Sequence, residues 1–125
     1  MSGNEKLTKG QLEASFTRAM IQFEKEYFGR GPLDARTFII RDLMLIRLQG
    51  ILTPAESKLA ESEDGRVLVK ETRRQLFEQS RPLLEEMVKQ ITGVNMISLH
   101  TDMSTRTGER MVVFTLDQDL EKKFR

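Results

Sequence analysis

The sequence predicts an α+β fold in the order αββαββ: a four-stranded antiparallel sheet with two main amphipathic helices on one face. Three observations carry this reading. Apolar residues recur at helical spacing over two long stretches. Two pairs of β-prone runs are each joined by a short turn. The pairs flank the second helical stretch, so one sheet covered on one side is the simplest way to bury all of them. The chain has 125 residues, the size of one domain, and residues 1–125 are read as a single unit with a core at about 10–118.

Residues 1–6 read as a frayed polar start. Leu12, Phe16, Ala19, Met20, Phe23 and Tyr27 then recur at helical spacing, with Glu13, Arg18, Gln22, Lys25 and Glu26 between them. Gly29-Arg30-Gly31-Pro32 ends this helix, because glycine suits the C-cap and proline cannot continue it. Arg36–Arg41 and Leu43–Gln49 are rich in strand formers and predict a hairpin turning near Arg41-Asp42-Leu43. Phe38, Ile40, Met44, Ile46 and Leu48 are expected on one face, with Arg41, Arg47 and Gln49 on the other. Thr53-Pro54-Ala55-Glu56 is a helix start: Thr53 caps, Pro54 takes the first helical position and Glu56 completes a capping box.

That short helix is expected to break around Ser62-Glu63-Asp64-Gly65. A longer helix follows from about Arg66 to Thr92, with Leu68, Leu76, Leu83, Met87 and Ile91 as its apolar stripe. Pro82 removes a hydrogen bond and predicts a kink near residues 78–82. Gly93 stops the helix. Val94–Met103 is the third strand, with Ile97 and Leu99 facing one way and Ser98, His100 and Asp102 the other. Thr105-Arg106-Thr107-Gly108 is a turn. Arg110–Leu116 is the fourth strand, with Val112, Phe114 and Leu116 on its apolar side, and a charged tail follows.

Composition narrows the function classes. Hydrophobic residues make up 38% and charged residues 31%, a well-solvated globular balance. The absence of cysteine excludes a disulfide framework, thiol catalysis and a thiolate metal site. A net charge of +1 leaves no electrostatic footprint for nucleic acid, and no nucleic-acid partner is expected. The longest apolar runs, Phe38–Ile40 and Leu43–Ile46, fall far short of a membrane span. Met1–Lys6 is polar and lacks the apolar segment of a secretory signal, so a cytoplasmic location is expected.

Several motifs resemble the MpsC-like bacterial family. They are the run from Phe23 to Pro32, Gly50-Ile51-Leu52-Thr53-Pro54-Ala55-Glu56, Arg81–Glu85, Ile91-Thr92-Gly93-Val94, Ser98–Ser104, Thr107-Gly108-Glu109-Arg110 and Val113–Asp117. The resemblance spans about residues 10–120. It implies an accessory role beside a membrane system linked to sodium translocation, membrane potential and inorganic-carbon or cation uptake. It also implies a location peripheral to the inner membrane through a transporter partner. It supplies no catalytic residues.

Candidate site residues concentrate in two segments. In the third strand, Ser98, His100 and Asp102 share a face, and His100 is the single histidine. An imidazole beside a carboxylate has the ingredients of a base or pH sensor. No nucleophile elbow accompanies it, so a hydrogen-bonding or dimer-contact face is the plainer reading. One histidine with Asp102 and Glu109 offers too few ligands for zinc, so no metal or other cofactor is expected. Arg30 stands in a glycine-flanked turn beyond what a helix stop requires. Arg106 and Arg110 flank the second turn, and arginine suits carboxylate and phosphate recognition. The expectation is a non-enzymatic accessory protein acting as a homodimer. The alternatives are a small-anion or metabolite sensor built on Arg30, His100 and Arg106, or an enzyme using His100 and Asp102.

Overall fold

A computed structural model describes residues 7–124, so the polar start at residues 1–6 lies outside the described residues. Thr8 opens the first helix, α1 (Lys9–Phe28): its hydroxyl accepts from the Gln11 amide at 3.1 Å, and the Gln11 side chain accepts from the Thr8 amide at 2.9 Å. Gly29 ends α1 at φ 89°, a conformation that a side chain disfavours. Strands β1 (Asp34–Ile40) and β2 (Leu43–Gln49) follow as a hairpin whose turn holds Arg41 at φ 54°. Helices α2 (Pro54–Leu59), α3 (Glu63–Gln79) and α4 (Arg81–Thr92) come next. Strands β3 (Met96–Ser104) and β4 (Glu109–Leu116) form the second hairpin, and a short 3₁₀ turn covers Leu120–Phe124.

The four strands form one antiparallel sheet in the order β1-β2-β4-β3. The second hairpin therefore lies beside the first, with β2 and β4 at the centre. The observed order is αββαααββ with four α-helices, which corrects the expected αββαββ pattern of two main helices. The cause lies at Ser80 and Pro82. Ser80 closes α3, its hydroxyl donating to the Leu76 carbonyl at 2.7 Å. Pro82 falls in the first turn of α4, where its missing N–H costs nothing, so it starts a helix instead of kinking one.

One face of the sheet is buried. Leu12, Phe16, Met20 and Phe23 of α1 meet Ile39, Met44, Ile46, Leu48, Val112 and Phe114 there, and Phe16 packs edge-on to Phe114 at 5.5 Å. The apolar stripes of α3 and α4 lie one position beyond the expected ones. Val69, Phe77, Leu84 and Val88 are buried, while Leu68 and Leu83 are 54% and 41% exposed.

The face of β1 is also corrected. Thr37 and Ile39 point inward, the Thr37 hydroxyl meeting that of Thr17 in α1 at 2.7 Å, whereas Phe38 and Ile40 lie on the open face. Three consecutive apolar residues carry no alternation from which to read the phase. At the start of β3 a bulge between Met96 and Ser98 breaks the alternation, and Ile97 is exposed while Leu99 stays inward.

Candidate functional site

The six candidate residues occupy three places. The first is a cavity of about 570 Å³ at the end of the sheet where β2 leaves and the β3–β4 turn closes. Three glycine-dependent turns build it. Gly29 turns the chain at the end of α1, so that Arg30 projects beside the start of β1. Gly50, at φ 67°, carries the chain out of β2, and a Cβ there would sit 2.6 Å from Leu33 Cγ. Gly108, at φ 71°, closes the second hairpin and accepts at its carbonyl from the Ile51 amide at 3.1 Å. Ser57 of α2, Ala60 just after it and Arg66 in the first turn of α3 also line it.

Arg30 and Arg106 line this cavity together, and Arg66 joins them. Among the described residues none of the three forms an ion pair, and no carboxylate lines the cavity. Arg30 Nη1 donates to the Leu52 carbonyl at 3.1 Å, and Arg66 Nη1 to the Ala60 carbonyl at 3.2 Å. Each backbone bond anchors one edge of a guanidinium and leaves other N–H donors for a ligand. Thr105, Thr107 and Ser57 add hydroxyls, and Leu33 and Leu52 give an apolar floor. Three cations unpaired by protein carboxylates suit an oxyanion.

The second place holds Asp102 and Arg110. Arg110 alternates inward on β4 and is only 2% exposed, unlike a surface ligand arm. Its guanidinium donates to Thr101 Oγ1 at 2.8 Å and lies 4.5 Å from the Phe77 ring centroid. Burial pushes it down to about 10, so it remains a cation at neutral pH. It belongs to a buried cluster with Glu24 and Arg73. Arg73 Nη1 lies 3.3 Å from Glu24 Oε1, and its Nε and Nη2 each donate to Glu56 at 2.8 Å. Two arginines face two glutamates, so the cluster balances its own charge and reads as structural. Asp102 stands outside it, 3.4 Å from Lys70 Nζ, and its Oδ1 accepts from the Met103 amide at 2.8 Å. That amide, with Lys70, holds the carboxyl below its ordinary value.

The third place is the open face of the sheet, where Ser98 and His100 lie side by side. His100 Nε2 is 3.2 Å from Ser98 Oγ, which also bonds the Thr115 hydroxyl on β4. Asp102 is engaged by Lys70 and not by His100, so no imidazole–carboxylate pair forms. His100 does not line the arginine cavity. No group of three or more metal-ligating side chains occurs among the described residues.

The sequence singles out neither Arg66 nor Glu24, and it offers Arg73 only as one of a set of arginines whose plain reading is a solvated surface, whereas Arg73 is fully buried. A signal existed for two of them. Glu24 continues the four-residue step Leu12, Phe16, Met20, and Arg73 lies midway between Val69 and Phe77, so each charge occupies a core slot of its helix. Arg66, in the first turn of α3, carries no such mark.

A family model described as Na+-translocating membrane potential-generating system (MpsC) matches residues 8–118. The chain belongs to the MpsC family. It is 44% identical over 117 residues to "Uncharacterized protein YbcI" of Bacillus subtilis (strain 168), covering 94% of each chain. It is 24% identical over 110 residues to "Uncharacterized protein YrhF" of the same strain, covering 86% of this chain and 89% of that one. No solved structure matches. In this MpsC-family chain, three segments that carry the family resemblance meet at the arginine cavity: Phe23–Pro32 brings Arg30, Gly50–Glu56 brings Gly50 and Leu52, and Thr107–Arg110 brings Gly108. Among the described residues no helix is long and apolar enough to cross a membrane.

Proposed function

We propose that this MpsC-family chain is an anion-responsive accessory subunit, acting by binding and not by catalysis, on a sodium-translocating membrane system. One observation carries the anion reading: Arg30, Arg66 and Arg106 converge on a cavity without a carboxylate in its lining. A small oxyanion such as bicarbonate or phosphate, or the phosphate end of a nucleotide, matches that chemistry. The family description supports the link to a membrane system. With no spanning helix among the described residues, the chain acts there through a membrane partner.

Calorimetric titration with bicarbonate, phosphate and a nucleotide tests the anion reading. Saturable binding by one of them is expected, weakened about tenfold or more in Arg106→Ala through loss of a charge-assisted bond. No saturable binding across the three would overturn it. The membrane link is tested by affinity capture from the native cell. Recovery of a membrane transporter is the expected result, and recovery of soluble enzymes alone would sink the link.

A further inference from the structure

We infer that two copies of this chain stack through the open faces of their sheets, related by a two-fold axis parallel to the strands. The open face presents rows across the order β1-β2-β4-β3 that the register defines. One row reads Phe38, Leu45, Val113, His100, and the next Ile40, Leu43, Thr115, Ser98. Phe38 and Ile40 remain 37% and 46% exposed, and Leu43, Leu45 and Val113 are partly exposed, although helices cover the opposite face. A broad apolar strip on one side of a sheet suits face-to-face packing.

The charges select the occupant and the axis. The row beside the apolar strip runs Arg36, Arg47, Met111, Asp102, cationic at β1 and anionic at β3. A two-fold axis along the strands lays β1 of one copy over β3 of the other. Arg36 then meets Asp102 of the second copy, Leu45 meets Val113, and Phe38 meets the His100 ring. A two-fold axis across the strands would instead lay Arg36 on Ile40 and Arg47 on Leu43, setting both arginines on apolar side chains, where the axis along the strands leaves only Arg47 opposite an apolar residue, Met111. Arg36 has no ion pair among the described residues, and the Asp102 side chain is 83% exposed despite Lys70. Arg36 is therefore free for the pairing, and Asp102 would share its exposed carboxylate between Lys70 and the arginine of the second copy.

The size of the face sets the strength. Strands spaced about 4.8 Å apart, rising about 3.3 Å per residue, give four strands of about seven residues a footprint of about 440 Å². Two copies together enclose about 900 Å², close to the ~1,000 Å² of a specific interface. The dimer is therefore concentration-dependent. The arginine cavity lies at the end of the sheet and not on this face, so the dimer and the anion reading stand or fall separately.

Sedimentation of the full chain from about 5 µM to about 1 mM tests the proposal. A reversible monomer–dimer equilibrium is expected; a monomer throughout overturns it. Leu45→Asp should raise the dissociation constant about 30-fold or more with an unchanged circular dichroism spectrum. A dimer indifferent to that substitution overturns the choice of face. Charge reversal at these exposed positions is read only where the circular dichroism spectrum is unchanged, because Asp102 also meets Lys70 and the Met103 amide. Arg36→Asp and Asp102→Arg should each weaken the dimer, and the double variant should restore it. Failure of the double variant to restore overturns the axis.

Discussion

At the residue scale, Glu24, Arg73 and Glu56 form a charge cluster in which Arg73 bonds both carboxylates. Arg73 is fully buried and ties α1, α3 and the start of α2 together, also donating from Nη2 to the Ile51 carbonyl at 3.0 Å. Arg73→Met would leave Glu24 buried opposite only Arg110. A loss of about 3–5 kcal/mol is expected, read as a lower midpoint in urea denaturation. The two glutamates respond to pH in opposite senses. Burial pushes the Glu24 carboxyl above its ordinary value, against the pull of Arg73 and Arg110. Burial also pushes the Glu56 carboxyl up, but bonds from Arg73 and Thr53 outweigh it and hold the group below its ordinary 4.5. A depressed carboxyl contributes stability above its unfolded value and loses it as pH falls through the folded one. The stability advantage of the native chain over Glu56→Gln should therefore be full above about pH 4.5 and shrink below it, measured by urea unfolding across pH. An equal gap at all pH values would show that Glu56 gains nothing from ionisation. Residues of this kind are half legible in sequence. Glu56 announces itself through the capping box with Thr53, whose amide donates to Glu56 Oε1 at 2.9 Å, but its second partner, Arg73, is 17 positions away and depends on the fold.

At the element scale, most signals confined to a single turn read correctly, Pro82 being the exception because it starts a helix where a kink was expected, and signals that depend on packing did not. The Thr53-Pro54-Glu56 start and the Thr105–Gly108 turn are local chemistry, and both stand where the residues place them. The phase of β1 and the stripes of α3 and α4 depend on what each element meets, and there the apolar runs offered two solutions. Gly65 shows the same limit. It reads as a helix breaker, yet it lies in the first turn of α3, its amide donating to the Ser62 hydroxyl at 3.0 Å. Its role is close approach. A Cβ on it would lie 1.7 Å from the Leu59 carbonyl oxygen, which is backbone and cannot rotate away. Gly65→Ala should therefore push α2 off α3 and cost about 1–3 kcal/mol, visible as a lower melting temperature. Gly10, with nothing within 4 Å of its would-be Cβ, is the control: Gly10→Ala in α1 should be neutral or stabilising, by up to about 1 kcal/mol.

At the scale of the whole molecule, the site is made by topology. Arg30 and Arg106 are 76 positions apart in sequence and meet because β4 inserts beside β2, bringing the β3–β4 turn to the end of the sheet where the first helix hands over to β1. The sequence grouped Arg30 with Arg106, and the fold sets those two on one cavity. It could not see that His100 lies around the sheet from them, or that α3 would bring Arg66. The same assembly makes the cavity a junction of five segments: the end of α1, the exit from β2, α2, the first turn of α3 and the second hairpin turn. Among these α2 buries no residue of its own, so its amides should exchange through local opening well before the central strands β2 and β4. An anion held by Arg30, Arg66 and Arg106 would join the α2–α3 connection to the hairpin turn, and opening that connection would require releasing it. Exchange of the α2 amides should then slow by up to about 100-fold at an anion concentration about 100 times the dissociation constant. Hydrogen exchange with and without phosphate measures this directly. Arg106→Ala should abolish the slowing while leaving exchange in β2 and β4 unchanged. Slowing that survives that substitution would place the anion elsewhere on the molecule.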